Sequence, residues 1–343
     1  MLSRSQTAQR SRWLIAASLL GASAAQAEVV LHAFNWPYSR IQAQAQEIKQ
    51  LGYASVLVAP PLKSEGSAWW ARYQPQDYRV IEHPLGNTDS FRAMSNALRG
   101  QGVKVYADIV LNHMANEAAQ RSDLNYPGQR ILNTYASNQS YWNQQRLFGT
   151  LSSNFLSQWD FGPAHCINDY NNVWQVQNWR LCGGGGDVGL PDLVANTWVV
   201  QQQQSYLNAL KTLGVTGFRI DAAKHMSLSH VNNVLTPTIK SGVHVFGEVI
   251  TGGGAGESEY ERFLKPYLDG TDHGAYDFPL FAQIRAALGF GGSMNRLVDP
   301  GAYGQALASS RAVTFTVTHD IPNNSGFRYL ILDPTDEKLA YAY

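Results

Sequence analysis

The sequence predicts an α/β protein, a (β/α)8 TIM barrel interrupted by a subdomain inserted after its third strand. Three observations carry that expectation. Apolar strand-like runs alternate with amphipathic helical segments along most of the chain, the alternation that builds a parallel sheet flanked by helices. The rhythm breaks over 114–192, a stretch rich in Asn, Gln, Ser and Gly that is too long for an ordinary connection. Where the rhythm holds, several runs end in acidic or imidazole side chains, at the C-terminal face where such barrels carry their sites.

The first 27 residues carry Arg4, Arg10 and Arg12, then the apolar run WLIAASLLGA, then AQA, the layout of a secretory signal peptide cut after Ala27. That run is too short to span a bilayer and no later one reaches about 18 apolar residues, so a secreted protein, extracellular or periplasmic, is expected rather than a membrane protein. VVLHAF (29–34) reads as a buried strand. SRIQAQAQEIKQLG follows as one helix, with Ser39 at its N-cap, Ile41, Ala45, Ile48 and Leu51 on its apolar face and Gly52 as its stop. YASVLVAPP and VKVYADIVLNH read as strands around the helix DSFRAMSNALRGQG, which has Asp89 at its start. After the insertion a helix runs from Asn196 through QQQQSYLNALKTLG, its glutamines a solvated face. The strands GFRIDAAKH, VHVFGEVI, AYDFP and AVTFTVTHD then bring the count to seven, DEKLAYAY reads as a last helix, and no eighth strand follows, so the barrel is expected to be C-terminally incomplete. The expected division is a signal peptide over 1–27, a barrel over 28–113 and 193–343, and a subdomain over 114–192.

With 343 residues the chain is long enough to bury a substantial core. Its formal net charge is zero and only 15% of residues are charged, which argues against nucleic acid or anionic lipid as a partner and for a neutral one. Nine Trp and seventeen Tyr supply flat faces suited to stacking on sugar rings as well as to core packing. In an oxidising compartment Cys166 and Cys182 most simply form one disulfide closing a short loop. GGGG (183–186) and TGGGAG (251–256) lack the Gly-Lys-Ser/Thr ending of a phosphate loop and are expected at the rim of a cleft.

Period-2 alternation places Arg219 and Asp221 on the inner face of their strand, with Phe218 and Ile220 facing the helices. The same arithmetic puts Asp108, Val110 and Asn112 on one face, with His113 at the strand's end, while Glu248, His319 and Asp320 end two further strands. Singly, Asp108 reads equally well as a structural ion-pair partner of Arg219, and His113 as a satisfied core histidine. Together they put buried carboxyls on four strands, each costing several kcal/mol unless paired, which points to a site.

DIVLNH (108–113), GFRIDAAKH (217–225), GEVI (247–250) and VTHD (317–320) resemble, in order and spacing, the four short motifs of the alpha-amylase family of glycoside hydrolases. WWARYQP (69–75) and GLPDL (189–193) resemble two further segments of that family, and the resemblance covers roughly 29–343. It implies that Asp221 is the nucleophile, Glu248 the general acid/base and Asp320 the third carboxylate, which binds sugar hydroxyls. Retaining hydrolysis needs one ionised and one protonated carboxyl, and Arg219 would keep Asp221 ionised while neighbouring aspartates raise Glu248. The resemblance also implies sugar contacts by Trp69, Trp70, Tyr73, Gln74, His113 and His319, and a leaving-group-side contact by Lys224 with His225. It implies a calcium site as well, with Asn112 and Asp192 as side-chain ligands, the carbonyls of Arg180 and His225 as backbone ligands and Asp187 as a possible extra one. Thr318 stands where chloride-dependent members carry a chloride-binding asparagine, which argues against chloride activation. The expected activity is secreted, endo-acting, retaining hydrolysis of α-1,4 links in starch, glycogen or maltooligosaccharides by a calcium-stabilised monomer. A related α-glucan transglycosylase and a truncated glucan-binding fragment without turnover are the alternatives.

Overall fold

The computed structural model describes residues 28–289, 291–315 and 318–320; the expected signal peptide and the DEKLAYAY helix lie outside the described residues. β1 (Val30–Ala33) leads into α1 (Tyr38–Ala43) and α2 (Ala45–Gln50), then β2 (Ser55–Val58). The single helix expected from Ser39 is two helices: Pro37, its φ fixed at −58°, stands at the N-cap, Ser39 falls within the first turn, and the chain breaks at Gln44. Ile41, Ala45 and Ile48 are buried as expected, whereas Leu51, at the C-cap of α2, is 69% exposed. Gly52 takes φ +90°, a left-handed stop that suits glycine.

The short antiparallel pair β3 (Glu82–His83) and β4 (Gly86–Asn87) precedes α3 (Thr88–Gly100). Asn87, not Asp89, caps that helix: its side chain accepts from the Ser90 amide at 2.9 Å while the Ser90 hydroxyl accepts from the Asn87 amide at 2.8 Å. Asp89 sits in the first turn, where a negative charge suits the helix dipole. After β5 (Lys104–Ile109) the stretch 114–192 carries the short helices α4 (Gln129–Ser137), α5 (Gln139–Gln145) and α6 (Val173–Val176) and a 3-10 turn over Gln158–Asp160 among turns. Ile131, Leu132, Tyr135, Trp142 and Leu151 pack there with Val80 as a small core of their own. The Cys166–Cys182 disulfide is formed, as expected.

α7 (Thr197–Thr212) begins at Asn196, whose side chain accepts from the Val199 amide at 2.8 Å. Its glutamines are not all solvated: Gln203 is fully buried, donating to the Leu111 carbonyl at 2.7 Å and meeting His230 Nε2 at 2.8 Å. A buried amide must find such partners, and composition does not reveal them. Then come β6 (Val215–Ile220), α8 (Leu228–Val234), α9 (Pro237–Lys240), β7 (His244–Gly247), a π-helical turn over Tyr260–Leu264 that continues into α10 (Lys265–Gly270), β8 (Gly274–Tyr276), α11 (Phe278–Leu288) and β9 (Ala312–Val313).

Among the described residues seven strands form one sheet in the order β1-β2-β5-β6-β7-β8-β9, every neighbour parallel. Two apolar layers hold it. Phe218 and Ile220 join Met94, Leu98, Tyr206, Leu207 and Leu210 in the layer between sheet and helices. Leu57, Tyr106, Phe246 and Tyr276, from four different strands, meet in one inner cluster, which requires the sheet to curl. Register then sets the site, pairing Asp108 with Arg219 and Ile220 with Gly247, so that Asp221 and Glu248 emerge side by side just past their strand ends.

Candidate active site

Arg219, 1% exposed, is the hub. Its Nη1 donates to both oxygens of Asp108 (2.8 and 2.9 Å) and to Oδ1 of Asp221 (2.7 Å), while Nη2 donates to Oε1 of Glu248. The Ala222 amide donates to Glu248 Oε2 at 3.0 Å. Glu248 also shares a hydrogen bond with Asp320. The Tyr73 hydroxyl donates to Asp108 Oδ2 at 3.0 Å, so Asp108 is both the ion-pair partner of Arg219 and the anchor of Tyr73.

One cation thus faces four carboxyls in a water-poor pocket, and proton uptake is the physical response. Burial pushes Asp108 up to about 7, with Arg219 opposing, and burial with the nearby Glu248 pushes Asp320 up to about 7. Burial also raises Glu248, with Arg219 opposing and Asp221 adding to the rise, as the sequence led one to expect. Asp221 departs from expectation: burial outweighs Arg219 and raises it too, because the guanidinium is shared with Asp108 and Glu248 rather than reserved for Asp221.

The aromatic wall comes from three elements. His319 stacks between Phe34 (centroids 4.7 Å apart) and Tyr73 (5.2 Å), and Trp69 meets Phe34, Tyr73 and His319 edge-on. Burial holds His319 well below the usual imidazole range, and Arg219 adds to this, so the ring is neutral. His113 Nε2 lies 3.0 Å from the Tyr73 carbonyl, and burial lowers it to about 4. Gln74 accepts the Asn116 amide at 3.1 Å. Trp70 is 53% exposed and stands apart from the carboxyls' hydrogen-bond network. Lys224 donates to Glu259 Oε1 at 2.8 Å and lies 4.9 Å from the Phe263 ring, a pairing that the sequence reading missed. Phe34 was missed as well, although it shares with His32 the parity that points inward along VVLHAF.

A second polar cavity of about 190 Å³ is lined by Asn112, Asp192 and His225 among others. The strand ends at Ile109, so Asn112 lies beyond it and hydrogen-bonds Asp192 rather than joining the Asp108 network. Burial raises Asp192 to about 8, with Arg180 opposing. A buried carboxylate and a side-chain amide around one cavity suit a hard cation that takes oxygen ligands, with His225 on the same lining, whereas Arg180 is not among the residues that line it. The Arg180 carbonyl accepts the Ile167 amide at 3.1 Å, and the His225 ring is held by the Val176 carbonyl at 3.1 Å. Asp187 accepts from Asn116 (2.7 Å) and from the amides of Gly183 (2.7 Å) and Gly189 (3.1 Å), organising the GGGG turn. No group of three or more His, Cys, Asp or Glu that could hold a metal occurs among the described residues.

A curled parallel sheet that gathers carboxyls around a buried arginine at its C-terminal edge places the molecule among the α/β-barrel glycoside hydrolases. The description "Alpha amylase, catalytic domain" matches residues 40–247, and the chain belongs to the alpha-amylase family. It is 62% identical over 330 residues to an alpha-amylase of Aeromonas hydrophila, covering 96% of this chain and 71% of that protein. Alpha-amylase I of Eisenia fetida superposes with a TM-score of 0.70 at 24% identity, covering 92% of this chain and 63% of that one. A variant of the same Eisenia fetida enzyme, solved as a maltohexaose complex, gives a TM-score of 0.69 at 25% identity over the same shares. The chain therefore spans under two thirds of the length of these solved relatives.

Proposed function

We propose that the chain carries a retaining alpha-amylase activity, endo-hydrolysis of α-1,4-glucosidic bonds in starch, glycogen or maltooligosaccharides. The observation that carries this reading is one guanidinium bonding both Asp221 and Glu248, two carboxyls that leave adjacent strands at the same edge. Asp221 attacks the anomeric carbon while Glu248 gives its proton to the departing glycosidic oxygen. A water then attacks the same carbon, yields its proton to Glu248 and frees Asp221. Asp320, His113 and His319 bind hydroxyls of the sugar being cleaved, Tyr73 stacks on it, and Trp69, Trp70, Gln74, Lys224 and His225 hold flanking sugars. The maltooligosaccharide bound by the Eisenia fetida enzyme supports this substrate class.

Calcium, when bound, supplies a fixed positive charge, held by Asn112, Asp192 and the carbonyls of Arg180 and His225, that ties the subdomain over 114–192 to the barrel. Export follows from the signal peptide read over 1–27, and among the described residues no helix is long and apolar enough to cross a membrane. Purified protein with calcium should release reducing sugar from soluble starch, and Asp221→Asn should abolish that release while the fold, followed by circular dichroism, persists. Longer rather than shorter maltooligosaccharide products would assign the chain to transglycosylation instead.

A further inference from the structure

Ala222, immediately after Asp221, holds a left-handed backbone (φ 49°, ψ 35°), one of two non-glycine residues with positive φ among the described residues. A side chain at such a position costs about 1–2 kcal/mol, so something must hold it there. The surroundings show what does. The Glu248 amide donates to the Ile220 carbonyl at 3.0 Å, the Lys224 amide donates to the Glu248 carbonyl at 3.2 Å, and the Ala222 amide donates to Glu248 Oε2 at 3.0 Å. Segment 220–224 therefore grips Glu248 by its amide, its carbonyl and its carboxyl. Gly247 permits the approach, since a Cβ there would lie 2.5 Å from the Tyr267 hydroxyl and 3.0 Å from Ala223 Cβ. An ordinary right-handed turn at Ala222 would aim its amide away from Oε2.

We infer that Ala222 is a positioning residue for the general acid: its strained turn points one backbone amide at Glu248 Oε2, fixing the carboxyl's rotation and leaving its other lone pairs for the proton that moves. Donation to the ionised form also restrains the rise of Glu248's pKa, against burial. The inference rests on the hydrolase reading above.

Three variants and one spectrum test it. Ala222→Val resists the left-handed region because it is β-branched, whereas Ala222→Asn and Ala222→Gly accept it. The account expects Ala222→Val to lower kcat about tenfold, the equivalent of the ~1.4 kcal/mol backbone cost. KM should hold within about twofold, and the alkaline limb of the pH profile should move upward. Ala222→Asn and Ala222→Gly should restore limb and kcat. If Asn and Val lose activity alike, bulk rather than backbone is responsible and the inference falls; an unmoved limb in Ala222→Val refutes it as well. Should Ala222→Val not fold, the amide titration below decides alone. Independently of turnover, the Ala222 amide proton in alanine-labelled protein should titrate with the Glu248 carboxyl and lose that titration in Glu248→Gln. An amide that ignores Glu248 overturns the inference, whereas a titrating amide in a protein that releases no sugar overturns only the hydrolase reading.

Discussion

At the residue scale, Arg219 governs the chemistry because one buried guanidinium bonds Asp108, Asp221 and Glu248 together. In the proposed mechanism the nucleophile must be ionised and the acid protonated, so activity should be lost at low pH through Asp221 and at high pH through Glu248. Arg219 opposes the rise of Asp221. Weakening it therefore raises Asp221 further and moves the acid limb to higher pH. Arg219→Lys keeps the charge but loses the planar fork, so its kcat/KM profile should show that upward move, and an unmoved limb would contradict the role given to Arg219. Phe34 offers a second check. Its ring closes one face of His319, so Phe34→Leu should lower kcat/KM roughly two- to tenfold, the measured range for a stacked aromatic pair. No change would show that the stack is only packing.

At the element scale, the Cys166–Cys182 link closes a loop with a sequence separation of 16. Replacing both cysteines by Ser should cost about 3 kcal/mol in urea unfolding, the chain-entropy figure for such a loop. Gln203→Leu should cost roughly 1–3 kcal/mol, since it strips a partner from the Leu111 carbonyl and from His230. These elements also show what the sequence could reveal. Asn196 was legible as the start of its helix because it stands just ahead of a periodic run, and geometry makes it the cap. Asn87 was not, because the neighbouring Asp89 offers the same signal two residues later and only geometry distinguishes them. Gln203 was hidden inside four identical residues, where composition gives no hint of which one turns inward.

At the scale of the whole molecule, the order of strands and the gathering of Asp108, Arg219, Asp221 and Glu248 were legible, because period-2 alternation fixes which side chains share an inner face. The sharing of Arg219 among three carboxyls was not, since it depends on register between strands distant in sequence. The proposed calcium site makes a claim at this scale. Folded Asp192 sits near 8 against a usual 3.8, so in calcium-free protein its protonated form favours folding below about pH 4, and that stability drains away as pH rises through about 8. Calcium competes with that proton, so its increment to Tm should grow over the same window, and an increment that does not vary with pH would count against Asp192 as a ligand. Proton NMR of maltooligosaccharide hydrolysis decides whether Asp221 and Glu248 cleave with retention: new reducing ends should appear first as the α-anomer and equilibrate afterwards, whereas β-anomer appearing first would rule retention out.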